Sequence, residues 1–196
     1  ATTIQSVQPG TKSGSVPALS PPIKTELFTV APTGLGNTKI SGALLDVSDV
    51  RSFQWSPDST RIAFRADGEV DQVVELYVVD PDGADRVRLT TGIEFDEDGV
   101  IEFAWSPASS TLAFTVADVD VNSLYRVGGD GSALQTIATA VEGAAPIDFQ
   151  WSSDGRSLAY RAAQVTADES GLFVSPVDGA PVVQIADRSS AFSWRY

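Results

Sequence analysis

The sequence predicts an all-β fold, a β-propeller of four-stranded antiparallel blades, from three observations. All four tryptophans follow a phenylalanine by two positions, at intervals of 50, 46 and 43 residues: Phe53 and Trp55, Phe103 and Trp105, Phe149 and Trp151, Phe192 and Trp194. A glycine follows a strand-like aromatic residue by six positions in four places. No stretch has helical periodicity. Short strands repeated at this period are typical of propeller blades.

One repeat unit is clearest over residues 50–90. Its strand A carries the Phe-x-Trp pair and leads into Ser56-Pro57-Asp58, a turn in which Pro sets φ and Asp can bond the backbone ahead. Strand B carries Ile62-Ala63-Phe64, and strand C carries Leu76-Tyr77. Asp82-Gly83 then predicts a tight hairpin into strand D, because such turns need positive φ.

These motifs resemble the repeat of the TolB-like, or PD40 (WD40-like), β-propellers. The matching residues are Trp55-Ser56-Pro57-Asp58, Ile62-Ala63-Phe64, Leu76-Tyr77, Asp82-Gly83 and Arg88-Leu89-Thr90. The resemblance covers roughly residues 26–196, although Ala108 replaces the motif's Asp in the second unit and Ser153 replaces its Pro in the third. It implies a non-catalytic protein-interaction or scaffold module, a subunit of an extracytoplasmic bacterial assembly.

The repeats predict four blades with the last one closed by both termini. Full blades are expected at about 50–90, 100–139 and 146–186. Residues 191–196 would supply the innermost strand of a shared blade, residues 25–41 its outer strands, and Ile4–Val7 its missing strand B, which would leave no open ladder edge. Two alternatives stay open: a ring shared between two chains, and a piece of a longer propeller.

Residues 1–24 are rich in Pro, Ser, Gly and Thr and predict a flexible tether without a core of its own. The tether could clasp a neighbouring subunit of a larger complex. Because the chain starts at Ala1 and contains no Met, we expect either a processed chain or a fragment, and a signal peptide is expected to have been removed already. The resemblance implies a periplasmic, secreted or surface-associated protein. No apolar run reaches the roughly 20 residues of a transmembrane segment.

Composition excludes several functions. A net charge of −13 disfavours nucleic acid and favours cations or basic protein surfaces, although solubility alone also accounts for the charge. Without Cys or His, the chain has no thiolate zinc site, no cysteine nucleophile and no histidine base. We therefore assign no catalytic residue and no cofactor, and we expect that the chain is not an enzyme.

Acidic residues concentrate in the loops expected on one face of a propeller. The B–C and D–A loops lie on the same face and hold 16 of the 26 Asp and Glu residues. A rigid scaffold with long loops is a common binding surface. The residues proposed to dock a basic protein partner are Asp67, Glu69, Asp71, Glu94, Asp96, Glu97 and Asp98. A merely solvated acidic surface is the alternative.

Two loop clusters are weak calcium candidates. They contain Asp96 with Asp98, and Asp118 with Asp120. Calcium takes six to eight oxygen ligands, often from such loops. Ser123 stands where a calcium loop needs Gly, however, and no Glu occupies the twelfth position. Ordinary exposed carboxylates are therefore the main interpretation.

The eight Phe-x-Trp residues are interpreted as the repeated structural core, because both side chains share one face of strand A. They could line a sugar site only by pointing into a central pocket. Two functional alternatives remain. The first is the propeller of a larger hydrolase of the prolyl-oligopeptidase type whose catalytic domain lies elsewhere. The second is a calcium- or carbohydrate-binding module.

Overall fold

The computed structural model describes residues 3–5, 24–44, 49–67, 73–94, 99–108, 110–118, 121–139, 144–164 and 170–186. The chain divides into two units, Ala1–Ile93 (unit 1) and Glu94–Tyr196 (unit 2), which are described separately. The described residues form strands and turns and no helix, so none of them provides a helix that could span a membrane. The fold is therefore all-β, as predicted.

Unit 1 contains two antiparallel sheets. The first sheet has the order β1-β2-β3, formed by β1 (Thr3–Gln5), β2 (Phe28–Val30) and β3 (Asn37–Lys39). The second is a four-stranded blade, blade 1, formed by β4 (Val50–Trp55), β5 (Ile62–Asp67), β6 (Val74–Val79) and β7 (Val87–Arg88). One apolar cluster includes Leu27, which precedes β2, and Ile40, which follows β3, together with Phe64 and Tyr77 of blade 1.

Unit 2 contains two further blades. Blade 2 consists of β8 (Gly99–Trp105), β9 (Thr111–Asp118), β10 (Val121–Gly128) and β11 (Gln135–Thr139). Blade 3 consists of β12 (Ala144–Trp151), β13 (Ser157–Gln164), β14 (Ser170–Pro176) and β15 (Val183–Ala186). Their shared cluster includes Leu124 of β10 and Leu158 and Tyr160 of β13.

An aromatic column crosses the first three strands of every blade in the same register. In blade 1, Phe53 lies opposite Phe64, which lies opposite Tyr77. The equivalent columns are Phe103, Phe114 and Tyr125 in blade 2, and Phe149, Tyr160 and Phe173 in blade 3. In each column the rings of the second and third residues stack, with centroids 5.2–5.4 Å apart. Paired aromatic residues across strands stabilise a sheet and fix its register.

The turns after strand A are built alike in blades 1 and 3. Ser56 Oγ donates to Asp58 Oδ1 at 2.6 Å and accepts the Arg61 N–H at 3.0 Å. In blade 3, Ser152 donates to Asp154 at 2.6 Å and accepts the Ser157 N–H at 2.9 Å. Blade 2 has Ala108 at the Asp position, and Ser106 Oγ there accepts the Ala108 N–H. The Ser-Pro-Asp turn is thus confirmed as a hydrogen-bonded connection.

The C–D hairpins confirm the prediction from the Asp-Gly pairs. Gly83, Gly131 and Gly179 have φ between 83° and 88°, which lies in the left-handed region. The preceding Asp accepts the N–H two residues ahead at 2.9–3.0 Å, as Asp82 does from Ala84. A residue with a Cβ would be strained there, so the turn requires glycine.

The predicted tether contains β1, whose residues pair with β2 in the register Thr3 to Val30 and Gln5 to Phe28. The sheet β1-β2-β3 therefore has three of the four strands expected of a blade. The proposed innermost strand, residues 191–196, lies outside the described residues, as do residues 6–23 of the predicted tether.

Candidate functional site

Each blade interrupts the pairing of its first two strands with a β-bulge at the same place. The register shifts between Val50 and Ser52 in blade 1, between Val100 and Glu102 in blade 2, and between Pro146 and Asp148 in blade 3. The bulged residues are Arg51, Ile101 and Ile147. Bulges redirect a side chain out of the regular ladder and recur near functional surfaces. These three positions are therefore candidate binding positions.

In blade 1 the bulged residue forms an internal ion pair. Arg51 donates from Nη2 to Asp67 Oδ2 at 3.1 Å and from Nε to Asp67 Oδ1 at 3.3 Å. The hydrogen bond with Asp67 raises the pKa of Arg51 above its usual value. Asp67 is only 2% exposed. Sequence reasoning placed Asp67 in a docking loop, but the carboxylate is buried at the end of β5 and cannot present a free charge.

In unit 2 the bulged residues are exposed isoleucines. Ile101 is 40% exposed and Ile147 is 50% exposed. The residue that corresponds to Asp67, three positions after the aromatic of strand B, is Ala117 in blade 2 and Ala163 in blade 3. The bulge thus carries an Arg–Asp pair in one blade and isoleucine with alanine in the other two.

Charged groups lie beside the isoleucines along the same strands. Glu102 follows Ile101 and is exposed, and Asp148 follows Ile147. Arg161 Nε donates to both carboxylate oxygens of Asp148, at 2.8 and 3.0 Å, and this pairing raises the pKa of Arg161. Both partners of the pair are largely exposed, so it adds little stability. It does hold a charged group beside Ile147.

The rest of the predicted acidic face is only partly within the described residues. Glu94 is exposed in the segment that precedes β8. Asp49, which sequence reasoning assigned to the same loops, accepts the Thr25 N–H at 2.6 Å. The other proposed docking residues lie outside the described residues: Glu69, Asp71, Asp96, Glu97 and Asp98.

The calcium candidates are outside the described residues or have no described side chain. Asp118 ends β9, but only its backbone is described, and Asp96, Asp98 and Asp120 are not described. Within the ranges that the structure describes, no group of three or more carboxylates could hold a metal ion.

The Phe-x-Trp residues differ in their burial. Trp105 is 5% exposed, whereas Trp55 and Trp151 are partly buried against the apolar clusters of their units. Phe103 and Phe149 are also partly buried. Phe53, the equivalent residue of blade 1, is 46% exposed. The fourth pair, Phe192 and Trp194, lies outside the described residues.

Sequence reasoning missed the bulge isoleucines. A signal was present, since the residues before each Phe read Val100-Ile101-Glu102 and Pro146-Ile147-Asp148. In the first of these, two adjacent apolar residues break the alternation that a regular edge strand requires, and such a break is compatible with a bulge.

Comparison with known proteins identifies the fold. Residues 24–186 match the family described as the lipoprotein LpqB β-propeller domain. A search of curated proteins finds no match to the chain. The match confirms the resemblance to TolB-like propellers drawn from the repeats.

Solved structures of propellers are similar at low sequence identity. A TolB from Agrobacterium tumefaciens is 21% identical, with a TM-score of 0.54 over 84% of this chain and 57% of that one. An oligogalacturonate lyase in complex with manganese is 16% identical, with a TM-score of 0.61 over 83% and 48%. The β-propeller domain of the trilobed protease from Pyrococcus furiosus is 10% identical, with a TM-score of 0.61 over 94% and 54%. The chain therefore spans about half the length of these structures.

Proposed function

Because the chain belongs to the LpqB lipoprotein β-propeller domain family, we propose that it is a non-catalytic propeller module that binds a protein partner outside the cytoplasm. The description of the family as a lipoprotein domain supports an extracytoplasmic location. The lack of His and Cys supports a binding role over a catalytic one, since a histidine base and a cysteine nucleophile are missing. The module acts as a subunit of a larger assembly.

The observation that carries the proposal is the pair of exposed isoleucines at equivalent bulges of blades 2 and 3. Ile101 and Ile147 leave 40% and 50% of their surface in water. A single exposed aliphatic residue is ordinary, but the same position in two blades defines a repeated apolar contact point. Protein interfaces combine such apolar centres with a polar rim. We define Ile101, Glu102, Ile147 and Asp148 as the bulge surface.

The charges near the bulge surface indicate which class of partner protein would bind. β8 follows the acidic stretch that begins at Glu94, and β12 follows Glu142 in the sequence. A basic partner with apolar side chains would satisfy both the carboxylates and the isoleucines. The net charge of −13 would speed its approach and would make association sensitive to salt. Glu69, Asp71, Asp96, Glu97 and Asp98 belong to this proposed acidic surface, whereas Asp67 does not.

The test is a capture experiment with matched variants. Purified chain is immobilised and exposed to envelope extract of the source cells, and retained proteins are identified by mass spectrometry. Ile101→Ser/Ile147→Ser removes the apolar contacts of the bulge surface. Val183→Ser/Ile185→Ser is the control, because these residues of β15 are 53% and 50% exposed and the change removes comparable apolar surface. We expect one basic protein to be lost with the first variant and kept with the second.

Salt provides the second readout. Binding of the captured protein, remeasured with purified components, should weaken at least tenfold between 50 and 500 mM salt if carboxylates contribute. Equal binding by both variants, or retention that does not depend on salt, would reject the bulge surface as the site. Hydrolysis of a substrate panel by the purified chain would reject the non-catalytic role.

A further inference from the structure

Blades 2 and 3 pack against each other through a joint in which the two blades contribute different kinds of residue. Blade 3 contributes the aromatic side chains of its first strand, Phe149 and Trp151. The Trp151 N–H also donates to the backbone oxygen of Ala104 at 3.2 Å. Blade 2 contributes small and aliphatic residues that are buried or partly buried in the shared cluster: Ala113, Leu124, Ile137 and Ala138. The joint therefore combines an aliphatic side of one blade with the Phe-x-Trp strand of the next.

Blade 3 carries the same residue types at the equivalent positions of its own sheet. The cross-strand registers align the two blades, because Leu124 lies opposite Ala138 and Leu172 lies opposite Ala186. The residues of blade 3 equivalent to the aliphatic side of blade 2 are Ala159, Leu172, Ile185 and Ala186. We define these four residues as the blade 3 face. Ala159 alternates with residues that enter the joint, so the face lies on the opposite side of the sheet.

The two blades differ in how far these matching residues are buried. Leu124 is 0% exposed, whereas its equivalent Leu172 is only partly buried. Ile185 leaves 50% of its surface in water. A repeated group of aliphatic residues that remains accessible favours a contact with another element over simple solvation. The blade 3 face thus has the composition of one half of a blade joint, and its exposure leaves room for the other half.

The sequence contains one further Phe-x-Trp pair, Phe192 and Trp194, which follows β15 along the chain. Three strand spacings of about 4.8 Å and a sheet separation of about 10 Å place the first strand of a following blade about 17 Å from β15. The six peptide units from Ala186 to Phe192 can span about 20 Å. The pair can therefore reach the blade 3 face within the same chain. Its short tether also gives it a higher effective concentration than a separate molecule has.

We propose that the blade 3 face is a binding site for an extended Phe-x-Trp segment, and that residues 191–196 of the same chain occupy it. Trp194 takes the role that Trp151 has in the joint, and its indole packs on the blade 3 face. Its N–H donates to the backbone oxygen of Gln150, the residue equivalent to Ala104. Occupation of the face covers apolar surface that would otherwise be open to other chains.

The experiment follows the indole N–H groups of the isotope-labelled full chain by NMR. Four tryptophans give four indole signals, and single Trp→Phe variants assign them. We expect the Trp194 N–H to exchange with solvent at least tenfold more slowly than that of the peptide acetyl-Ala-Phe-Ser-Trp-Arg-Tyr-amide. Its ring should show nuclear Overhauser contacts with the methyl groups of Ile185.

A charged substitution tests the face itself. Ile185→Glu should return the Trp194 N–H to the exchange rate of the peptide, while the Trp151 N–H stays protected. Leu35→Glu is the matched control, because Leu35 is an aliphatic residue of unit 1 that is 78% exposed. The control should change neither signal. If Ile185→Glu also exposes Trp151, unit 2 has unfolded, and the Overhauser contacts of the unaltered chain decide alone.

Three results would overturn the proposal. The first is exchange of the Trp194 N–H at the rate of the free peptide. The second is a protected Trp194 whose ring shows no contact with Ile185. The third is a contact between Trp194 and Ile185 that arises only between differently labelled chains, which would assign the face to a second copy.

The outcome is separable from that of the bulge surface. Ile101→Ser/Ile147→Ser should leave the exchange of the Trp194 N–H unchanged. Val183→Ser/Ile185→Ser should speed that exchange and still retain the captured protein, because it alters the blade 3 face and not the bulge surface.

Discussion

Trp151 Nε1 donates a hydrogen bond to the backbone oxygen of Ala104 at 3.2 Å, which joins the first strands of blades 2 and 3. The indole has a large apolar surface and one N–H donor, so a single side chain can pack against apolar neighbours and also donate a hydrogen bond. This contact gives a physical reason for a tryptophan in strand A. The Trp151 side chain reaches from blade 3 to the backbone of blade 2. A Phe at this position could pack there, but it has no N–H group to donate a hydrogen bond.

The first prediction concerns this bond. Trp151→Phe should lower the free energy of unfolding by about 2 kcal/mol, of which about 1 comes from the lost hydrogen bond and about 1 from the smaller buried area. In a chain of 196 residues this is a fall in melting temperature of roughly 4–8 °C. Calorimetry measures it. Trp55→Phe is the matched control, since Trp55 packs against the cluster of unit 1 without a hydrogen-bond partner among the described residues. An equal effect at both sites would contradict the role of the bond.

The second prediction concerns Gly155, where the turn of blade 3 meets the turn of blade 2. Its φ is 68°, and a Cβ there would lie 2.6 Å from Ser106 Oγ and 3.3 Å from the Ala108 Cβ. Gly155→Ala should therefore cost more than the backbone strain of about 1–2 kcal/mol.

Gly179 provides a control that separates the cost of backbone strain from the cost of steric crowding. Its φ is 85°, and no atom lies within 4 Å of a Cβ built there. Gly179→Ala should show the strain alone, so the difference between the two variants in urea unfolding measures the crowding at Ser106. Adding Ser106→Ala to Gly155→Ala should recover part of that difference. If the two glycine variants are equally stable, a Cβ at position 155 has no steric clash with the turn of blade 2.

Much of the fold follows from local chemistry that the sequence displays. Positive φ at Gly83 follows from an Asp-Gly pair between two β runs, and the turn at Ser56 follows from Ser-Pro-Asp. Both turns are specified by two or three consecutive residues, so they can be predicted without knowing which distant residues they contact. Cross-strand aromatic pairs follow from the same repeat, because equivalent strands keep equivalent registers.

The candidate site was less predictable, because its features depend on contacts between distant residues. Asp67 stands at the end of a strand, where sequence alone suggests an exposed loop carboxylate. The carboxylate is buried and pairs with Arg51, the residue at the bulge of β4, sixteen positions earlier in the chain. A bulge adds one residue without a dedicated motif. The adjacent apolar residues Val100 and Ile101 are compatible with a bulge, but they do not determine that Ile101 is exposed, and nothing local indicates the Arg51–Asp67 pair.

The third prediction uses the difference between blades at this bulge. Arg51→Ile leaves a buried carboxylate without its partner and should cost about 2–4 kcal/mol, since a buried charge without compensation is strongly unfavourable. Asp67→Ala leaves Arg51 half exposed and should cost less. The double variant recreates the isoleucine and alanine of blades 2 and 3, so it should be more stable than the sum of the single changes predicts. Urea unfolding of all four proteins gives the coupling energy, and strict additivity would show that the pair does not interact.

The last prediction concerns acid. The hydrogen bond from Ser56, followed by the Thr60 N–H, lowers the pKa of Asp58, and the bond from Ser152, followed by the Arg156 N–H, lowers the pKa of Asp154. A carboxyl group whose pKa is lower in the folded state adds stability above its unfolded pKa of about 3.9, and this contribution is lost as pH falls through the folded value. Asp58→Ala/Asp154→Ala should therefore melt below the unaltered chain at pH 7, and the two melting curves should converge as pH falls below about 4. Blade 2 already carries Ala108 at this position, so the variant should still fold. A difference in melting temperature that stays constant from pH 7 to pH 2.5 would mean that the two carboxylates act by shape and not by charge.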